Sequence, residues 1–236
     1  MKKLLYTLFA FSFISCANER SISIQSGETS ERVLYGAPVP IGNSPFIIIP
    51  LKIIDKNDIA DAYYSADNNF AQVTDDCENL IFHDKKNKSN HLLSTKGFGR
   101  LSFHFIENEF VEASAKSKRF ILYKIVKNDT NKDGQFDWSD ASILYISEEN
   151  GKKFFPVTPD NTRLVDWIVE FGTPNIFVRY LIDTDNNGVY DLNDEMRIIQ
   201  LNLSEYYKKS KTPDEYSIVK PEEMKIFEEM LLKKEK

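Results

Sequence analysis

The chain has 236 residues, with 36 Asp and Glu against 30 Lys and Arg, so its formal net charge is −6 at pH 7. Aromatic residues make up 13% and glycines number only nine, which is typical of a folded domain and not of a disordered chain. The sequence has no basic stripe, so we expect no nucleic-acid partner.

The N-terminus has the pattern of a secretory signal. Lys2 and Lys3 precede an apolar run over residues 4–14, and Ser15 is a small residue before a polar segment. The run is shorter than the about 20 residues that a membrane-spanning helix needs. The pattern therefore predicts that residues 1–15 are a signal peptide.

The sequence Phe13-Ile14-Ser15-Cys16 resembles a bacterial lipobox, in which the cysteine becomes the lipidated N-terminus. The resemblance implies a lipoprotein of the cell envelope, with acyl chains such as palmitate on Cys16 that anchor the protein without crossing the membrane. Ala17 is not the aspartate that retains some lipoproteins in the inner membrane, which favours the outer membrane, on its periplasmic face or at the surface. The alternative is an ordinary signal peptide with a chance cysteine.

Residues 16–32 are polar, rich in Ser and Glu, and without periodicity, so we expect a flexible tether behind the lipidated cysteine. Once Cys16 carries lipid, Cys77 has no cysteine to pair with, and we expect it to be a buried thiol. The remaining chain divides into an all-β domain over residues 33–210 and an amphipathic C-terminal helix over residues 211–236.

Short segments rich in Ile, Val, Phe and Tyr predict that the domain is built from strands. In the helix, Pro221 suits the first position, and Met224, Phe227 and Leu231 share one face, which we expect to pack on the domain or to bind a partner. The predicted strands cover residues 46–54, 79–83, 100–106, 119–126, 142–146, 163–170, 175–182 and 196–203.

Two stretches of about four strands resemble each other, with Leu80 aligned to Ile143, and each ends in an acidic loop. A weaker third copy begins at Ile53. The stretch from Leu144 to Trp167 also resembles repeats of Tol-type β-propellers. The chain has material for about three blade-like repeats, whereas propellers typically need about 4–8. We therefore expect all-β antiparallel sheets in an incomplete propeller or a sandwich-like arrangement, followed by the helix.

The acidic loops, named loop 1 (residues 129–140) and loop 2 (residues 183–194), share one pattern over twelve positions, and their starts are 54 residues apart (183 − 129). Both have side-chain oxygens at positions 1, 3, 5, 9 and 12, and both have glycine at position 6. Position 7 would contribute only its backbone carbonyl. The candidate ligands are Asp129, Asn131, Asp133, Gln135, Asp137 and Asp140 in loop 1, and Asp183, Asp185, Asn187, Val189, Asp191 and Asp194 in loop 2.

The pattern resembles an EF-hand calcium loop, in the variant with Asp at position 12 that dockerin-type loops use. Calcium takes six to eight hard oxygens at about 2.3–2.6 Å, and alternate side chains of a tightly wound loop converge on one point. The resemblance implies two Ca²⁺ ions. Two departures are the flanking strands, where an EF-hand has helices, and the short Asp at position 12. Dockerin domains also place their two loops much closer together in sequence.

The alternative is a pair of tight hairpins, because Asp-Gly and Asn-Gly turns join strands without a metal. A hairpin does not require oxygen-bearing side chains at five alternate positions, repeated in the same register. Without a cation, the acids of each loop would also repel one another. We therefore predict metal in both loops, and calcium in particular because every donor is oxygen.

The sequence contains no nucleophile elbow, phosphate-binding glycine loop or zinc-protease motif, so it provides no signature of an enzyme. His83, His91 and His104 could meet as a zinc or copper site, although their spacing does not support one. Two functions stay open. One is a non-catalytic, calcium-stabilised module that binds a protein or glycan of the cell envelope, and the other is an envelope hydrolase acting on carbohydrate or peptide.

Overall fold

The computed structural model describes residues 31–55, 76–107, 119–170, 173–203 and 221–232. The predicted signal peptide, Cys16 and most of the tether lie outside these residues. The elements are β1 (Glu31–Tyr35), β2 (Val39–Pro40), β3 (Phe46–Asp55), β4 (Asn79–Asp84), β5 (Ser89–Leu92), β6 (Arg100–Glu107), β7 (Arg119–Val126), β8 (Ser142–Glu148), β9 (Phe155–Pro156), β10 (Thr162–Val169), β11 (Asn175–Ile182), β12 (Glu195–Asn202) and α1 (Pro221–Leu232).

The strands form two sheets, and the prediction of an all-β fold with a C-terminal helix is confirmed. The first sheet has the order β1-β3-β4-β5, with β2 beside β3. The second has the order β12-β11-β10-β8-β7-β6, with β9 beside β8, and it curls into a half-barrel. No described helix is long and apolar enough to cross a membrane.

The second sheet consists of two three-stranded antiparallel meanders, β6-β7-β8 and β10-β11-β12. They meet where β8 and β10 run parallel, at the single pair Ser142 and Arg163. This parallel contact is the one departure from the predicted antiparallel pairing among the described strands. It places the two meanders side by side in the same orientation.

Two apolar clusters cover the two faces of the second sheet. Ile121 and Tyr123 of β7 pack against residues of the first sheet such as Phe82, as in a sandwich. Phe120 and Leu122 of β7 point to the other face and pack with residues of β8, β10, β11 and β12. Because β7 is buried on both faces, its sequence is almost continuously apolar.

The repeat seen in the sequence exists in the structure, but it is displaced by one residue from the sequence alignment. The amide of Leu93 donates to the carbonyl of Leu80 at 2.9 Å, and the amide of Val157 donates to that of Leu144 at 2.7 Å. Leu80 therefore corresponds to Leu144 (144 − 80 = 64) and not to Ile143. The two bonded residues are thirteen positions apart in both hairpins (93 − 80 and 157 − 144).

The C-terminal helix begins at Pro221, as predicted, and has Glu222 and Glu223 in its first turn. Its residue Met224 lines a cavity with residues of β10, β11 and β12, which places this end of the helix against the sheet. The predicted apolar face also includes Phe227 and Leu231. Their side chains lie outside the described part of the structure. The rest of the predicted helical segment, residues 211–220 and 233–236, lies outside the described residues.

Strand β1 starts at Glu31, so residues 31 and 32 are not part of a tether that was predicted to extend to residue 32. The register of β1 pairs Glu31 with Asp55. Cys77 is 1% exposed and its thiol donates to the carbonyl of Leu101, which confirms the predicted buried thiol.

Candidate metal centre

Both acidic loops lie at the same end of the second sheet. Loop 1 follows β7 and loop 2 follows β11. Since β7 is antiparallel to β8, β8 is parallel to β10, and β10 is antiparallel to β11, strands β7 and β11 run in the same direction. Their C-terminal ends, and the loops that follow them, are therefore on one side of the molecule.

The two loops share one network of hydrogen bonds from backbone amides to side-chain oxygens. The position 1 carboxylate accepts from the amide of position 6, at 2.9 Å in both loops. The position 5 oxygen accepts from position 7, at 2.8 and 2.6 Å, and the position 9 carboxylate accepts from position 11, at 2.7 Å in both. Alternate side chains therefore hold the backbone of both loops in the same conformation.

The backbone angles repeat as well. Position 4 has a positive φ in both loops, with Lys132 at 61° and Asn186 at 57°. Position 6 also has a positive φ, with Gly134 at 84° and Gly188 at 78°. Glycine accepts this conformation without steric cost, so the glycine at position 6 has the role that the sequence predicted.

In loop 2, the carboxylate oxygens of Asp183, Asp185 and Asp194 lie within 4.8 Å of one another, and this group can hold a metal ion. Among the described residues it is the one such group of His, Cys, Asp or Glu side chains. In loop 1 the corresponding residues are Asp129, Asn131 and Asp140. The amide of Asn131 replaces one carboxylate, which leaves two acids at these three positions.

In loop 1, Asp129 Oδ1 is buried and has no hydrogen-bond partner among the described residues. A buried carboxylate oxygen without a donor is costly, because it has lost its hydration. Its other oxygen, Oδ2, accepts from the amide of Gly134. A cation beside it would satisfy this oxygen, but the acids of loop 1 do not converge on one point as those of loop 2 do within the described residues.

The carboxylates at position 12 close the loops. Asp140 accepts from the amides of Thr130, at 2.7 Å, and Asp137, at 3.1 Å. Asp194 accepts in the same way from Thr184 and Asp191, both at 3.0 Å. Asp194 is also a member of the acidic group of loop 2.

Hydrogen bonds stabilise the ionised form of two loop acids. The hydroxyl and amide of Ser139 hold the pKa of Asp137 below its ordinary range. The amide of Thr184 does the same for the pKa of Asp194, with a further contribution from the amide of Asp191. Anionic oxygen ligands are therefore available at ordinary pH.

The aromatic residue at position 8 of each loop packs against the protein. Phe136 lies on Gly99, where an added Cβ would come within 2.3 Å of its ring. Tyr190 is only 6% exposed, and its burial, together with Asp183, Asp194 and Asp140, raises its pKa to about 12. The position 7 residues Gln135 and Val189 are exposed, which suits residues expected to act through their backbone.

Three basic residues near loop 1 were not identified from the sequence. The Nζ of Lys124 lies 4.7 Å from the ring centre of Trp138, and the guanidinium carbon of Arg100 lies 5.7 Å from it. Burial lowers the pKa of Lys124, and Arg163 lowers it further. Trp138 is thus a packing residue of loop 1, held by cation–π contacts. The one sequence signal for these basic residues was Lys124, a charged residue within the otherwise apolar part of β7.

The three histidines do not form a metal site within the described residues, because each has a different partner. His83 Nδ1 is 2.7 Å from Asn90 Oδ1, and His91 Nε2 is 2.8 Å from the carbonyl oxygen of Asn150. The ring of His104 faces Trp167.

No protein-family model matches the chain, and neither a curated protein nor a solved structure matches it.

Proposed function

We propose that this protein is a lipid-anchored module of the bacterial cell envelope that calcium stabilises and that binds a protein or glycan without catalysis. Cys16 in its lipobox-like sequence would be the anchor. Loops 1 and 2 would each hold one Ca²⁺ ion. The ions would fix two long connections between strands and so stabilise the surface at that end of the sheet.

The observation that carries the proposal is the shared hydrogen-bond network of two loops distant in sequence. In each loop the side-chain oxygens accept from backbone amides at the same positions, and loop 2 brings Asp183, Asp185 and Asp194 together. In loop 1, a cation would provide a partner for the buried Oδ1 of Asp129. A hairpin connection alone would not require these features.

The chemistry of the donors favours calcium over other metals. All candidate ligands are carboxylate, carboxamide or backbone oxygens, without thiol or imidazole, and such sets suit hard cations. Calcium also tolerates irregular loops better than Mg²⁺, which demands a near-ideal octahedron. Extracellular calcium modules often bind with dissociation constants of about 0.1–1 mM, which suits a structural ion.

A cavity of about 960 Å³ beside loop 2 supports a binding role. Its lining includes Val165 and the fully exposed Leu192, together with Met196 and Met224. Apolar side chains open to solvent next to a rigid loop are typical of a surface that contacts a ligand. Calcium in loop 2 would hold Leu192 in place.

The test is calorimetric calcium titration of the full chain, purified in mild detergent, with thermal melts in calcium and in chelator. We expect two ions per chain. At 100 times the dissociation constant, each ion adds about 2.7 kcal/mol of stability, which corresponds to a rise in melting temperature of about 5–10 °C for a domain of this size.

Variants assign the ions to the loops. Asp133→Ala and Asn187→Ala should each remove one ion and part of the melting shift, whereas Glu229→Ala, on the exposed face of α1, should keep both. A chain that takes up no divalent ion and melts identically in chelator contradicts the proposal.

A further inference from the structure

The two loops are in direct contact, although they start 54 residues apart (183 − 129). A Cβ added at Gly188 would lie 2.2 Å from the carbonyl oxygen of Thr130 and 3.7 Å from the Cα of Asn131. The turn at position 6 of loop 2 therefore rests on positions 2 and 3 of loop 1. The equivalent Gly134 has nothing of the described protein within 4 Å of such a Cβ, so the contact is specific to Gly188.

The segments in contact are those that the residues at positions 1 and 12 hold. Gly188 donates its amide to Asp183, whereas Thr130 and Asn131 donate theirs to Asp140. A cation that holds Asp183 would also restrain Gly188 through this hydrogen bond. A cation that holds Asp140 would restrain the backbone of loop 1 against which Gly188 packs. The contact thus links the ligand positions of one loop to those of the other.

Two further features are shared between the loops. A polar cleft of about 320 Å³ has both position 1 acids, Asp129 and Asp183, in its wall, together with Tyr190. Arg163 donates to the carbonyl of Tyr190 at 3.4 Å, and its charge also acts on Asp137 of loop 1. The loops therefore share one electrostatic environment.

We infer that the two loops bind their cations as a coupled pair, so that an ion in one loop raises the affinity of the other through the contact of Gly188 with Thr130. The inference rests on the proposed function, since it requires that both loops bind calcium. Ordering the shared backbone costs conformational entropy. The first ion to bind orders it, so the second ion binds with a smaller loss of entropy. Repulsion between the two ions acts in the opposite direction, but surface charges are screened over about 8 Å at physiological ionic strength.

The experiment measures the affinity of each loop when the other has lost its ligands. Calcium is titrated calorimetrically into the full chain and into Asp133→Ala, which disables loop 1, and Asp185→Ala, which disables loop 2. We expect the intact loop of each variant to bind about fivefold more weakly, or worse, than the same loop in the unaltered chain. Thermodynamic linkage requires the two factors to be equal.

A second readout follows loop 1 directly. The chain has two tryptophans, so Trp167→Phe leaves Trp138 of loop 1 as the sole indole. In this background, Asp185→Ala should move the calcium midpoint of Trp138 fluorescence upward by the same factor. Asn187→Ala, which removes a different candidate ligand of loop 2, is the second variant if Asp185→Ala does not fold.

Two ions that bind with unchanged affinities in the variants would overturn the coupling and leave the proposed function intact. A single ion per unaltered chain would also overturn it. No calcium uptake by the unaltered chain would instead refute the proposed function itself.

Discussion

The aspartate at position 12 shows how one short side chain organises each loop. One oxygen of Asp140 accepts from the amide at position 2, and the other accepts from the amide at position 9. Thr130 adds its hydroxyl to the first oxygen, and Thr184 does the same for Asp194. The sequence contained a signal for this, because both loops have Thr at position 2. We expected these acids as ligands, whereas their backbone bonds could be seen only in the structure.

A cross-strand ion pair at the residue scale predicts a dependence of stability on pH. Asp166 of β10 is opposite Arg179 of β11, whose Nε donates to Asp166 Oδ1 at 2.7 Å. The hydrogen bond from Arg179 lowers the pKa of Asp166 below its ordinary value of 3.8. The unfolded chain therefore takes up this proton first as the pH falls. The stabilisation is present above pH 3.8 and disappears as the pH drops through the pKa of the folded state.

We predict that Asp166→Asn lowers the folding equilibrium constant by up to about fivefold at pH 7, because both side chains are half-exposed. The difference from the unaltered chain should shrink as the pH falls below 3.8. Urea unfolding between pH 7 and pH 3 measures it, with Glu229→Gln as the control for removing a charge. An equal difference at both ends of the range would contradict the prediction.

At the scale of elements, the strongly patterned strands were predictable. The bounds of β7 and β11 agree with the prediction at both ends, because both strands are rich in apolar residues and are followed by acidic loops. Four short strands were missed. Strands β2 and β9 have only two residues each, and β5 is polar. Most of β1 fell within the predicted domain, but no strand was predicted there. Such segments form strands only because they pair with a neighbouring strand, and the local sequence does not reveal that pairing.

The glycines at position 6 provide a matched pair of variants. Both have a positive φ, so Gly134→Ala and Gly188→Ala share the strain of placing a Cβ in that conformation, about 1–2 kcal/mol. Only the Cβ at position 188 collides with the backbone of Thr130. We predict that Gly188→Ala costs about 1–3 kcal/mol more than Gly134→Ala.

Urea unfolding of both variants in chelator measures this difference without a contribution from metal. Equal losses of unfolding free energy would show that the contact between the loops has no weight in the folded protein.

For the whole molecule, the sequence predicted which residues belong to each loop, but it did not predict that the two loops touch. The ligands of each loop followed from spacing within twelve positions. That Gly188 contacts Thr130 depends on the parallel meeting of β8 and β10, which rests on the single pair Ser142 and Arg163. A pairing of this kind has no sequence signature, since neither residue belongs to an apolar pattern.

The anchor is a prediction for the whole molecule. We expect Cys16→Ser to abolish lipidation and to move the protein from the membrane fraction to the soluble fraction, because acyl chains would be its attachment. Cys77→Ala is the control, as the thiol of Cys77 is buried in the core. Fractionation and metabolic labelling with a fatty acid provide the measurement. A Cys16→Ser protein that still sediments with membranes would contradict the lipoprotein proposal.

The meeting of the two meanders has a mechanical consequence. Within each meander, neighbouring strands are joined by seven or eight residue pairs, whereas β8 and β10 are joined by one. That one pair lies at the end of the sheet where the two loops are in contact, so the loops form a second link between the meanders beside their short strand pairing. Withdrawal of calcium should loosen this junction before the meanders themselves, and the apolar cluster that contains residues of both meanders would still hold them together.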